Sequence, residues 1–264
     1  MAPRLETPAA EYFLCAHTRT FLLTLRPDGA PTCHPMVGLW RDGALWLNTY
    51  RKSAKVRNLT AEPRVACVVV TDDDEPRFRG VVLRGRAEVV PAPVAARRWS
   101  RRPRPPSAGR GRGGDATRAR AARGGKARPH PDRARGGAAG GRARLMPRQR
   151  VHMSAEEVTA FLSAKRRAIV GTRAPDGGPD GEPAALACAG GEVRFSVPRD
   201  GPTARNLRHD PRLVVSVEEF PSYAGIKGVA VHGRAVAVGD DGERTCFRVA
   251  APRIESFDFA KVRR

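Results

Sequence analysis

The chain has 264 residues, with 48 Lys and Arg against 27 Asp and Glu, giving a formal net charge of +21. That length admits two small domains or one large one, and a hydrophobic content of 41% is enough to build a core. No apolar run approaches the roughly 18 residues of a membrane span, and Met1-Ala2-Pro3-Arg4 does not open a signal peptide, so a cytoplasmic protein with no membrane partner is expected.

In chain order, Thr7-Pro8 marks a helix start, with Pro8 at the first helical position. A strand over Thr20–Leu25 follows, and Pro27-Asp28-Gly29 is a β-turn signal that closes a hairpin. The next strand holds Pro35–Leu39, Asp42-Gly43 turns the chain, and Ala44–Thr49 is a third strand. Ser53–Leu59 reads as a short helix that ends before Pro63. Arg64–Val70 is a β-branched strand, and Arg79–Val90 a long alternating one.

Residues 97–150 then contain little but Arg, Gly, Ala and Pro, with no apolar periodicity, which predicts a disordered linker. This segment carries 18 of the basic residues and only two acidic ones, Asp115 and Asp132, leaving 30 basic and 25 acidic residues elsewhere. The extreme charge therefore belongs to the segment and not to the folded parts, which argues against a nucleic-acid-binding protein. No aromatic residue interleaves its arginines after Trp99, as a single-strand-binding platform would require. A GC-rich gene read out of frame yields the same mixture, so 97–150 is either a true linker or a frameshifted stretch.

After the linker the pattern begins again. A shift of 148 positions places Phe13-Leu14 on Phe161-Leu162, Pro27-Asp28-Gly29 on Pro175-Asp176-Gly177, and Pro35 on Pro183. The same shift places Arg57-Asn58-Leu59 on Arg205-Asn206-Leu207, Pro63-Arg64 on Pro211-Arg212, and Gly85-Arg86-Ala87 on Gly233-Arg234-Ala235. One offset held through so many separate patches is a duplication. Ser154-Ala155-Glu156-Glu157 is a capping box, with Val158, Phe161 and Leu162 as the buried stripe of its helix, and Ala168–Thr172 is the strand that follows. The fold class is mainly β with short helices: two small tandem barrels, 1–96 and 151–264, joined by 97–150.

Cys15, Cys33, Cys67, Cys188 and Cys246 are scattered without CxxC spacing, so neither a disulfide framework nor a zinc site is expected. No nucleophile elbow, HExxH or Walker loop is present, and no catalytic residue is assigned. Chemistry concentrates between Asn48 and Leu59, where a strand runs into a helix start. Unpaired N–H groups and the helix dipole favour an anion there, and Lys52, Ser53 and Lys55 add two cations and a hydroxyl. On charge alone a solvated basic helix start is the favoured reading. His34 is a candidate substrate contact or a structural strand histidine, and His209 and His232 have no assignable partner.

Pro27-Asp28-Gly29-Ala30-Pro31, His34-Pro35-Met36, Trp40-Arg41-Asp42-Gly43, Lys52 to Leu59, Glu62-Pro63-Arg64-Val65 and Arg84-Gly85-Arg86-Ala87 follow one another in an order that resembles the pyridoxamine 5′-phosphate oxidase-like FMN-binding split-barrel family, which includes deazaflavin-dependent reductases. The resemblance covers most of 7–92 and again 154–262. It implies a flavin- or deazaflavin-dependent oxidoreductase acting on a small organic substrate, with FMN or the deazaflavin coenzyme F-420 held in a cleft between two barrels. Two halves of one chain would form that cleft, as a monomeric pseudo-dimer or within a homodimer. Carried onto this sequence, the resemblance makes Lys52, Ser53 and Lys55 phosphate positions, places His34, Pro35, Met36 and Val37 on the strand beside the ring, and puts Thr49 and Tyr50 at the ring or ribityl chain. Asp200, Gly201 and Thr203 replace the phosphate positions in the second half, so that half is read as having lost its site and as walling the first, with Tyr223 and Lys227 as residues that would close the cleft. The alternatives are a non-catalytic flavin- or haem-binding protein of the same fold, and nucleic-acid binding through 97–150.

Overall fold

The computed structural model describes residues 7–71, 78–90, 118–124, 151–220 and 225–263, with backbone alone for Thr7, 118–124, 262 and 263. The first half runs α1 (Thr7–Ala16), β1 (Arg19–Leu25), β2 (Pro31–Arg41), β3 (Ala44–Tyr50), α2 (Ala54–Ala61), β4 (Arg64–Val70), β5 (Gly80–Arg86) and β6 (Glu88–Val90). β7 (Arg118–Gly124) comes from the linker region. The second half runs α3 (Ala155–Ser163), β8 (Arg167–Arg173), β9 (Pro179–Ala189), β10 (Glu192–Pro198), α4 (Pro202–His209), β11 (Arg212–Glu219), β12 (Lys227–Asp240) and β13 (Arg244–Asp258), closing in a 3₁₀ turn over Phe259–Arg263.

Turn and cap chemistry places these elements. Between β1 and β2, Asp28 Oδ1 accepts from the Ala30 N–H at 2.9 Å, and Gly29 takes a φ of +78° that a side chain disfavours. Asp42 and Gly43 both have positive φ, the requirement of the tight turn that joins twisted strands β2 and β3. Ser154 opens α3 with both hydrogen bonds of a capping box in place. Mainly β architecture in two similar halves is as the turn spacing predicts. The long strand expected at Arg79–Val90 is interrupted at Ala87, whose N–H donates to Pro63 O at 2.8 Å.

The second half closes into a barrel in the order β10-β13-β12-β11-β8-β9. The first half has the order β5-β4-β1-β2-β3-β7-β6. β13 pairs antiparallel with β10 and β12, whereas β7 pairs parallel with both β3 and β6. The composition of 97–150 gives no reason to expect a strand, yet 118–124 takes the barrel position that β13 takes in the other half. The remainder of 97–150 lies outside the described residues.

Each half has its own core. Phe13, Leu22, Leu45, Leu47, Leu59 and Val65 fill the first, and Phe161, Leu186, Phe195, Leu207, Val215 and Phe247 the second. A third apolar cluster joins Phe21, Leu23, Val68 and Val70 to Ile169 and Val214 of the other half. Burying each such side chain contributes about 1.5–3 kcal/mol, whereas a surface ion pair contributes about 0–1 kcal/mol. The apolar cluster therefore holds the halves together.

The junction is pseudo-symmetric. Arg64 donates from Nη1 to Asp176 O at 2.8 Å, and Arg212 donates from Nη1 to Asp28 O at 2.6 Å; both residue pairs are related by the 148 shift. This is the reciprocal pattern of a two-fold interface, written into one chain. Within each half the repeat also preserves a buried network. Asn58 donates to Thr24 Oγ1 at 3.0 Å, and Asn206 to Thr172 Oγ1 at 2.9 Å.

Candidate functional site

The start of α2 is built by residues from Thr49 onward. The Ser53 N–H donates to Tyr50 O at 3.0 Å, bending the chain out of β3. The Ser53 hydroxyl caps the helix, accepting from the Val56 N–H at 3.4 Å, and lies 3.2 Å from the Thr49 hydroxyl. Val56, Asn58 and Leu59 are buried beneath. Asn58 also reaches Thr32 Oγ1 at 3.4 Å, and so fixes α2 against β2. Burial lowers the Lys55 ammonium below the ordinary lysine value. It is a cation held partly out of water, which an anion would compensate.

A cleft of about 470 Å³ opens beside this helix, between the two halves. One wall is Arg26, Thr32, His34 and Pro35 with Arg57 and Asn58 of α2. The other is Ser216 of β11, Val229, Ala230 and His232 of β12, and Arg253, Glu255 and Phe257 of β13. The register of β12 on β13 brings the second wall together, with Ala230 opposite Glu255 and His232 opposite Arg253. His232 Nε2 lies 3.6 Å from Glu255 Oε2. The His232 imidazole, and beyond it the Arg253 guanidinium, hold the Glu255 carboxyl down to about 2 against the opposing effect of burial.

Among the described residues, Arg26 Nε, His34 Nδ1 and both ring nitrogens of His232 are buried without a hydrogen-bond partner. All three residues line the cleft. Buried polar groups are normally hydrogen-bonded, so a cluster around one cavity that is not hydrogen-bonded points to a ligand that completes it. Burial, and secondarily Lys55, push the His34 pKa down to about 3, so the ring is neutral at physiological pH and offers one donor and one acceptor. Cys33 also lines the cleft, but burial pushes its thiol up to about 12, which leaves no thiolate for chemistry. No group of three or more His, Cys, Asp or Glu able to hold a metal occurs among the described residues.

The residues singled out from the sequence do not all gather here. His34 and Pro35 line the cleft. Met36 packs against the first-half core, and Val37 pairs with Arg19 in the sheet. Lys55 sits close enough to His34 to depress its protonation. Thr49 is buried, Tyr50 is 78% exposed, and Lys52 is exposed with its carbonyl accepting from Arg57. Lys227 is tied to Glu219 at 2.8 Å, and Tyr223 lies outside the described residues. His232, Arg253, Glu255 and Phe257 went unrecognised in the sequence. The available signal was positional: the 148 shift maps His232 onto Arg84, inside a motif already noted in the first half.

The two halves are duplicated split barrels with a cleft at their junction. The profile of the family described as pyridoxamine 5′-phosphate oxidase matches residues 6–110 and again 154–259, and the chain belongs to that family as a tandem duplication. No curated protein matches the chain. Among solved structures, a conserved hypothetical protein from Mycobacterium tuberculosis is 24% identical, with a TM-score of 0.40, over 43% of this chain and 90% of its own. A FAD-binding protein from Mesorhizobium loti is 23% identical, with a TM-score of 0.36, over 40% of this chain and 93% of its own. An F-420 reductase is 17% identical, with a TM-score of 0.32, over 36% of this chain and 94% of its own. No helix among the described residues is long and apolar enough to cross a membrane.

Proposed function

We propose that the cleft between the halves binds FMN or the deazaflavin coenzyme F-420, and that the chain is an oxidoreductase acting on a small organic substrate. The observation that carries this reading is the set of buried polar atoms without a hydrogen-bond partner on Arg26, His34 and His232 around one cavity, in a chain of a family named for an oxidase. The residues fit such a coenzyme. The start of α2, with Lys55 desolvated beside it, suits the phosphate. Arg26 and Arg57 add positive charge along the same wall. Val229, Ala230 and Phe257 supply an apolar surface for a planar ring, and His34 and His232 supply polar contacts at its edge. A bound flavin or deazaflavin supplies the hydride chemistry, while the protein orients it and excludes water. One chain supplies both walls, so a monomer is sufficient for binding.

The test is titration of the full chain with FMN and, separately, with the deazaflavin coenzyme, followed by fluorescence. Lys55→Ala is expected to weaken binding by about 10- to 100-fold, the range of a charge-assisted hydrogen bond of about 1.5–3 kcal/mol. Failure of both coenzymes to bind refutes the reading. Substrate-dependent reoxidation of the bound, reduced coenzyme then separates an enzyme from a coenzyme carrier.

A further inference from the structure

Pseudo-symmetry requires that a cleft lined by one set of positions have a mirror, displaced by 148 residues, on the opposite side of the junction. We propose that this mirror cleft has been converted into a lock between the halves, that positions 32 and 232 and their mirrors 180 and 84 decide which cleft stays open, and that the chain therefore takes one phosphate-bearing coenzyme rather than two. The inference rests on the coenzyme reading above, and it concerns the side of the junction that reading leaves unused.

An ion pair across the junction closes the mirror. Asp180 stands where the open cleft has Thr32, and Arg84 where it has His232. Arg84 of the first half reaches across to Asp180 of the second, with Nε at 2.9 Å and Nη2 at 2.5 Å from Oδ1. Asp180 is otherwise fully engaged, accepting from the Gly181 N–H at 2.7 Å and from Asn206 Nδ2 at 3.2 Å, and its side chain is only 6% exposed. In the open cleft the same two positions are Thr32, part of the Asn58 network, and His232, whose ring nitrogens have no hydrogen-bond partner. An ion pair spans the junction on one side, and a cavity of about 470 Å³ opens on the other.

The helix start has also lost its hydroxyl. Gly201 replaces Ser53, and a Cβ added there would lie 3.0 Å from Pro198 O and 3.4 Å from Glu182 Oε1. Pro198 and Glu182 are the mirrors of Tyr50 and His34. The helix behind, α4, has no side-chain cap at Gly201, whereas Ser53 caps α2. Charge acts in the same direction. Thr32, His34, Lys52 and Lys55 become Asp180, Glu182, Asp200 and Thr203, so two cationic positions are lost and three carboxylic ones appear. Like charge at such distances repels a phosphate.

The experiment has two arms on the full chain. In the first, FMN and the deazaflavin coenzyme are titrated calorimetrically, and the stoichiometry per chain is read directly. One equivalent is expected. Moving the lock into the open cleft with Thr32→Asp/His232→Arg is expected to reduce affinity at least 10-fold, while Arg84→His/Asp180→Thr leaves it within about 3-fold. Two equivalents per chain, or no loss in the transplanted lock, overturns the proposal. Absence of any binding refutes the coenzyme reading, and the single-site conclusion falls with it. In the second arm, thermal unfolding of Arg84→Met, Asp180→Asn and the double variant forms a cycle that needs no ligand. A non-additive shift of about 2–4 °C is expected for a pair in direct contact, and strict additivity overturns the lock.

Discussion

Gly171 lies in β8 at the centre of the junction, and its mirror in the first half is Leu23. A Cβ added to Gly171 would lie 2.7 Å from Leu23 Cδ2 and 2.8 Å from Val214 Cγ1, both closer than real Cβ contacts. Leu23 and Val214 are themselves fully buried, so neither side chain has free volume to move into. Gly171→Ala is therefore an overpacking substitution, expected to cost about 1–3 kcal/mol. Leu23→Ala empties the same place and is expected to cost about 2–5 kcal/mol through lost burial and a residual cavity. The double variant is the informative one. Removing the Leu23 methyls relieves one of the two close contacts of the new Cβ and leaves the one to Val214 Cγ1, so the two costs should add only in part, and the double should be at least about 1 kcal/mol more stable than their sum. Chemical denaturation of the four proteins measures this. Additivity within about 0.5 kcal/mol would mean that the two positions do not share space, and the packing account of the junction would be wrong.

Two further perturbations separate charge from packing. Arg19 pairs with Glu218 across the junction, and the two side chains are 9% and 0% exposed; Arg19→Met leaves that carboxylate buried and should cost about 3–5 kcal/mol, measured by denaturation, whereas Arg19→Met/Glu218→Met should recover most of the loss. His34 has its pKa pushed from 6.5 down to about 3 by burial first and Lys55 second, with Glu255 opposing and His232 adding. The unfolded chain therefore binds the proton first as pH falls, so stability is full above about 6.5 and is lost toward 3, at up to about 1.4 kcal/mol per pH unit. The carboxyls lowered in the fold, Glu62 and Glu255 among them, start to contribute only below about 4.5. His34→Gln should thus flatten the melting temperature between pH 6.5 and 5 specifically; an unchanged slope refutes this assignment.

Much of the fold is legible from local chemistry. Asp-Gly turns at 28–29 and 42–43 and the box at Ser154 act over four residues or fewer, and each lies where the sequence places it. The duplication is equally visible, because turn residues tolerate few replacements. The cleft is harder to read. Its second wall depends on β12 and β13 pairing and then meeting β2, a contact between residues about 200 positions apart, and no local pattern encodes that. The 148 shift identifies His232 as the mirror of Arg84, but the two residues differ and do opposite work, so similarity alone conceals the role. Met36 departs from the simple period of a strand, which would place it on the same face as His34 two residues before it. It belongs to the same motif as His34, yet its side chain packs into the first-half core. β7 is the least legible element, since Arg118–Gly124 pairs through its backbone in a stretch with no apolar alternation.

Fusion of two barrels into one chain permits what a homodimer cannot do. At a true two-fold axis a residue meets its own copy, so Leu23 would face another leucine, or Gly171 another glycine. The first arrangement overcrowds the centre and the second leaves it hollow. Here the two copies have diverged, and a large residue fits against a small one, with Gly181 providing the same relief where Cys33 is its mirror. The same freedom operates at the clefts. Asp180 in a homodimer would appear in both sites and close both, whereas in the fused chain it closes one and leaves Thr32 in the other. The asymmetry at the centre and the asymmetry at the clefts thus have one cause, the independent variation of two copies that a single backbone holds in register. Divergence that fits large to small at the axis tightens the junction, from which the walls of the remaining cleft rise, Arg26 and His34 on one side and His232 and Glu255 on the other.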